Sequence, residues 1–138
     1  MLFPKKVKFR KWQKQRKHPE KTGVASRGID IDFGSHGMKS VDYGRIRSFQ
    51  IEAARKIISR TIGKTGRMWI RVFPDRPYTE KPPEVGMGKG KGDPQGYEFE
   101  VTPGRVLFEV DGVTEEVARE ALRKGAAKLP VAIKIVAR

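Results

Sequence analysis

Apolar side chains return every three or four positions across "SFQIEAARKIISRTIG", where Ile51, Ala54, Ile58 and Ile62 form a stripe that Ala53 and Ile57 widen. That period predicts a helix over 48–63. Ser48 is the expected N-cap and Gly63 the expected stop. Glu52, Arg55, Lys56, Ser59 and Arg60 take the other face. That face is basic, and both contact with phosphates and plain solvation fit it. A second helix is predicted after Thr114, with Glu115 and Glu116 in the first turn, where the helix dipole favours anions. Val117, Ala121, Leu122, Ala126 and Leu129 are its expected stripe, and Pro130 ends it.

Elsewhere the period is two. "GIDIDFG" sets Ile29, Ile31 and Phe33 against Asp30 and Asp32, as in a strand with one apolar face. Two carboxylates so spaced could serve a metal or acid–base pair, but no third ligand lies nearby, and a solvent-facing edge is favoured. "RMWIRVF" alternates Met68, Ile70 and Val72 with Trp69, Arg71 and Phe73, and Pro74 closes it. "YEFEV" and "RVLFEV", joined through Pro103-Gly104, read as a hairpin. "VAIKIVAR" makes a last strand. Two helices and five or six strands without strict alternation predict a single α+β domain. It is expected to span 19–138, with a long Pro/Gly-rich loop at 74–96 in which neither period is found.

Charge changes the picture. The chain has 138 residues, 30 Lys+Arg against 16 Asp+Glu, and a formal net charge of +14. Such an excess invites a polyanion, either nucleic acid or an anionic membrane. Residues 1–18 hold Lys5, Lys6, Lys8, Arg10, Lys11, Lys14, Arg16 and Lys17, no acid, and the aromatics Phe3, Phe9 and Trp12. Charge runs are often solvated tails. Interleaved aromatics favour a nucleic-acid-binding arm, because rings stack on bases while cations neutralise phosphates. No apolar run is long enough to span a bilayer, and the N-terminus has no secretory signal core. The absence of cysteine excludes thiolate catalysis and cysteine-ligated zinc, and two histidines supply little metal chemistry. No cofactor or metal is expected.

"GMGKGKGDPQG", 86–96, tests the chemistry further. It lacks the G-x-x-x-x-G-K-[ST] phosphate loop, and its glycines recur every second residue with no helix following, so the dinucleotide fingerprint fails too. Alternating glycines instead let a backbone pass close to a bulky surface, with Lys89 and Lys91 neutralising phosphates and Met87 adding one apolar contact. The preceding "PDRPYTEKPP" reads as a stiff, proline-extended stalk. A flexible linker is the plain alternative, but it would join nothing to nothing.

"RKW" with its basic surroundings, then "QIEAAR", "WIRVFPD", "TEKP", "MGKGKG" and "DGVTEEVAREAL" stand in the order seen in the L-sixteen family of bacterial large-subunit ribosomal proteins, and the chain resembles that family over nearly its whole length. The resemblance implies an α/β-hammerhead-like mixed sheet with two helices, and a protein that is not an enzyme. It implies cytoplasmic location in the ribosome and binding to large-subunit rRNA near the aminoacyl-tRNA site and the central protuberance. It also implies support of late assembly and of tRNA positioning at the peptidyl-transferase region. The partners would be that rRNA, A-site and P-site tRNA and neighbouring large-subunit proteins, with no membrane. The candidate rRNA contacts are Lys5, Lys6, Lys8, Arg10, Lys11, Trp12, Lys14, Arg16, Lys17, Arg45, Arg47, Arg55 and Arg71. The candidate tip is Met87, Gly88, Lys89, Gly90, Lys91 and Gly92.

Three departures from the family pattern stand out. Gly86 occupies the place before the loop methionine where relatives often carry arginine. Arg47 and Gln50 occupy the places of a Thr/Gln capping box, which moves the expected cap to Ser48 or weakens the helix start. The connection across 15–28 is longer than usual. The competing reading is a generic nucleic-acid-coating or RNA-chaperone protein, which shares the charge but has no need of this loop.

Overall fold

The computed structural model describes residues 1–12, 23–88 and 90–138. Its elements are β1 (His36–Ser40), β2 (Gly44–Arg47), α1 (Ser48–Ile62), β3 (Arg67–Ile70), β4 (Arg76–Glu80), β5 (Asp93–Val101), β6 (Val106–Asp111), α2 (Glu115–Ala126) and β7 (Ile133–Ala137). The α+β class holds. In place of one mixed sheet there are two, ordered β3-β6-β1-β7 (sheet A) and β2-β5-β4 (sheet B), and every pairing is antiparallel.

Helix α1 follows its predicted stripe, burying Ile51, Ala54, Ile58 and Ile62. Gly63 ends it at φ 69°, donating its N–H to Ser59 O. The cap is Arg47, however, and Ser48 is the first helical residue. Gln50 Oε1 accepts the Arg47 N–H at 2.9 Å. A guanidinium has no acceptor, so the reciprocal half of a capping box cannot form. Helix α2 begins as expected, with Thr114 Oγ1 accepting from Val117 N–H. Its buried stripe is Ala118, Ala121, Leu122 and Gly125, rotated from the predicted one; Val117, Ala126 and Leu129 flank it, half-buried. Gly125 brings the helices together: a Cβ there would lie 2.6 Å from Ile58 Cδ1.

Strand β6 is buried along Val106–Val110 because both faces of sheet A are covered. Phe108 pairs with Met38 and Ile70 on the helix side. On the other side the 29–35 segment lies across the sheet, and here the predicted strand does not form. Its Phe33 and Gly34 amides donate to Glu109 Oε1, both at 3.0 Å, rather than to a ladder. Ile31 is buried against Gly37, while Phe33 stacks on Trp69 with ring centroids 6.0 Å apart. Asp30 and Asp32 are exposed, as a solvent-facing edge requires.

Two further expectations are corrected. "YEFEV" and "RVLFEV" are strands but not a hairpin, since β5 pairs with β2 and β4 while β6 pairs with β1 and β3. Both edges of each strand are taken, so the turn at Thr102–Arg105 carries the chain from one sheet to the other. Gly104, at φ 95°, there donates its N–H to Ser40 O at 2.7 Å. The 74–96 stretch is no continuous loop or proline stalk but a β4–β5 hairpin with its tip at 81–92. Pro77 is tolerated because β4 is an edge strand, and Pro94 because it pairs beside a bulge at Tyr78/Thr79.

Candidate nucleic-acid interface

Sheet B turns Ile46, Phe99 and Val101 toward the core, and its opposite face carries charge. The register sets Arg45 opposite Glu100, and both Arg47 and Arg76 opposite Glu98. Arg45 lies 3.7 Å from Glu98 and 3.6 Å from Glu100. Arg76 lies 3.6 Å from Glu98 and 2.8 Å from Glu100. Arg47 sits 3.4 Å from Glu80 and 4.4 Å above the Tyr78 ring. Burial pushes the Glu98 carboxyl above its ordinary range, prevailing over Arg45, Arg76 and Arg47, which pull it down.

The arm comes to this face. Met1 sits at α1, its ammonium 3.9 Å from Glu52, and Leu2 packs against the core. Ten residues on, the Trp12 ring lies over Arg76 at 5.5 Å, and Lys11 Nζ donates to Lys91 O at 3.4 Å. A cleft of about 320 Å³ opens among Trp12, Arg45, Arg47, Tyr78, Lys91 and Glu98, with Arg76, Pro77, Thr79 and Glu80 completing its wall. The structure thus joins three regions far apart in sequence: the arm, the "GRIR" strand and the loop.

It separates the candidate residues into two sets. Lys5, Lys6, Lys8, Arg10 and Lys11 are exposed, and among the described residues none has a carboxylate partner. Phe3, Phe9 and Trp12 are exposed beside them. Lys91 is exposed at the loop. By contrast Arg55 is bound twice to Glu52, at 2.5 and 2.9 Å. Arg71 is held by Glu109 and by Asp32, the latter at 3.2 Å. Arg45 and Arg47 are ion-paired in the cleft wall. Lys14, Arg16, Lys17 and Lys89 lie outside the described residues.

At the tip Met87 is fully exposed. Gly92 is required by the fold, since a Cβ there would meet Glu80 O at 2.5 Å. Gly88 and Gly90 take φ 92° and 95°, and a Cβ on either, or on Gly86, would meet nothing within 4 Å. Lys81 Nζ, donating to Gly88 O, ties the turn back to the hairpin. Arg76, Tyr78, Glu80 and Glu98 were not singled out from the sequence. A readable signal existed for part of this set: arginines at 45 and 47 and glutamates at 98 and 100 share an i, i+2 spacing, as facing strands need.

These features define a small basic α+β protein with a cationic, aromatic edge suited to a polyanion. The family model of ribosomal protein L16p/L10e matches residues 4–136, and the chain belongs to that family. It is similar to the large ribosomal subunit protein uL16 of Bartonella quintana, 53% identical over all 138 residues and 98% of that protein's length. The proteins of the same name from Albidiferax ferrireducens (53%) and Acidovorax sp. strain JS42 (55%) align over the whole chain and 97% of their own lengths. It is a ribosomal protein and not an enzyme. No helix among the described residues is long and apolar enough to cross a membrane.

Proposed function

We propose that this chain, a constituent of the large ribosomal subunit by family, binds large-subunit rRNA with the arm of residues 1–18 and reaches toward bound tRNA with the 81–92 tip. The observation that carries the reading is the division among its cations. Among the described residues Lys5, Lys6, Lys8, Arg10, Lys11 and Lys91 are left without carboxylates, those of the arm beside exposed rings, whereas Arg45, Arg47, Arg55, Arg71 and Arg76 of the folded part are internally paired. Unpaired surface cations release counterions when they meet phosphates, and a paired arginine must first give up its carboxylate. Lys5, Lys6, Lys8, Arg10 and Lys11 are therefore the principal rRNA contacts, with Trp12 stacking at the cleft and Lys14, Arg16 and Lys17 continuing the run. Arg45 and Arg47 contribute at the cleft wall, and Arg55 and Arg71 mainly build the fold.

Met87, Gly88, Lys89, Gly90, Lys91 and Gly92 form a bare tip. Two of its glycines, together with Gly86, face open space, which suits close approach to a bulky RNA surface. Near the aminoacyl-tRNA site such a tip would help position tRNA at the peptidyl-transferase region and support late assembly.

Co-sedimentation with large subunits through rising salt tests this. A protein of the proposed kind stays with the large subunit at stoichiometric ratio through moderate salt. A generic coating protein spreads over any nucleic acid, and that result would overturn the reading.

A further inference from the structure

Every described arginine that is buried or half-buried has a carboxylate partner, with one exception. Arg45, Arg47, Arg55, Arg71 and Arg76 are all ion-paired. Arg105, half-buried where the chain passes from sheet B to sheet A, is not. Its Nη2 donates to Arg71 O at 2.9 Å and its Nη1 to Arg27 O at 3.4 Å, while its buried Nε finds no acceptor. The guanidinium lies 5.5 Å above the Phe99 ring.

The seat is built for it. Gly28, at φ 66°, clears the space: a Cβ there would lie 2.7 Å from Arg105 Cζ. Among the described residues no carboxylate neutralises the charge. Burial, then the nearby Arg71 charge, pull the Arg105 pKa below the usual arginine value. A strut joining two carbonyls explains the hydrogen bonds and leaves the positive charge uncompensated.

A cleft of about 280 Å³ opens on this side chain, lined by Ser26, Arg27, Phe99, Glu100, Thr102 and Arg105 among others. Glu100, its one carboxylate, is committed to Arg76 at 2.8 Å and Arg45 at 3.6 Å. Arg27 is exposed, with no carboxylate partner among the described residues. Two arginines without carboxylates and two hydroxyls therefore surround one opening.

We propose that Arg105 and Arg27 form a second phosphate seat, taking a backbone phosphate of the RNA at the junction of the two sheets. This rests on the RNA-binding reading above. Phosphate suits the donors: it is a compact anion with several acceptor oxygens, and a guanidinium presents a fork that matches it.

The test measures binding of the full chain to a large-subunit rRNA transcript across a salt series, with thermal melts of each variant. Arg105→Gln and Arg27→Ala should each lower the slope of log affinity against log salt by roughly 0.7 to 0.9, one phosphate's worth. Arg105→Lys should keep most of the slope. Arg27→Ala, at an exposed side chain, still decides the matter if Arg105→Gln fails to fold. Folded variants with unchanged slopes would overturn the seat. A shift in the wild-type melt with inorganic phosphate, lost in Arg105→Gln while the RNA slope stays put, would assign the site to free phosphate and also overturn it. Failure of the wild type to bind the transcript would count against the RNA-binding reading itself.

Discussion

Two buried glutamates, one in each sheet, sit among arginines and are held in opposite ways. Glu109 of sheet A is fully buried; its carboxylate accepts two backbone N–H groups at 3.0 Å and is held by Arg71. Burial raises its pKa, but the Gly34 amide, Arg71 and the Phe33 amide outweigh it, leaving the group below its ordinary value. Glu98 of sheet B has Arg76 and Arg45 at 3.6 and 3.7 Å, ion-pair rather than hydrogen-bond distance, and burial prevails. The first arrangement is a lock: every donor is satisfied, and it pins the 29–35 segment and the end of β3 onto the sheet. The second borders an open cleft beside unpaired lysines. Charge in sheet A is spent on the fold, while much of that around sheet B faces outward.

The largest effect should come from breaking the lock. Glu109→Ala strands the buried Gly34 amide and the half-buried Phe33 amide and leaves Arg71 with Asp32 as its remaining carboxylate, and should cost about 3–5 kcal/mol. Glu98→Gln should cost under about 1 kcal/mol, because burial already works against the charge it removes. Urea denaturation of both variants checks the contrast, and equal losses would erase it.

Acid sharpens the comparison. The folded pKa of Glu109 lies below its unfolded value, so its contribution is present above the unfolded pKa and lost as pH falls through the folded one. The raised Glu98 pKa has the opposite sign: its contribution is present at low pH and lost as pH rises through the folded value. Acidification should therefore cost Glu98→Gln more stability than it costs the wild type, because the variant lacks the opposing contribution of Glu98. Urea midpoints from neutral pH downward measure both slopes.

Both helices and the apolar stripe of α1 were legible because a 3.6-residue period survives in sequence, whereas the α2 stripe was read rotated, because its buried face is made of the small residues Ala118 and Gly125. The alternation through Met68–Ile70 was legible too. "GIDIDF" misled because its alternation is real, yet the amides that would join a ladder go to the Glu109 side chain. That partner lies more than seventy positions away and leaves no local trace. Strand β4 was hidden by Pro77, and the start of β5 by Pro94, which an edge and a bulge make tolerable. Of the candidate interface, the basic arm and the glycine-lysine tip were visible in the sequence itself. The cleft could not, since it exists only where Trp12, Tyr78 and Lys91 meet.

A smaller effect on stability is expected at the tip. Deleting Met87–Gly92 leaves six residues, 81–86, to close the hairpin, and removes the close packing of Gly92 against Glu80 together with two exposed hydrogen bonds, Lys81 to Gly88 O and Lys11 to Lys91 O. The melt should move by no more than the equivalent of about 0.5 kcal/mol, in the range of ordinary surface changes. Peptide-bond formation by large subunits carrying the deletion should nevertheless drop. A melted free protein would make the loop structural, and unaffected translation and maturation would deny the tip a role.

The most direct test of the division between folding charge and binding charge is the salt dependence of rRNA binding by a chain with Lys5, Lys6, Lys8 and Lys11 all changed to Ala. The urea midpoint should be unchanged, and the slope of log affinity against log salt should be shallower by roughly 0.7 to 0.9 for each lysine that meets a phosphate. An unchanged slope, or a slope lost only together with the fold, would contradict that division.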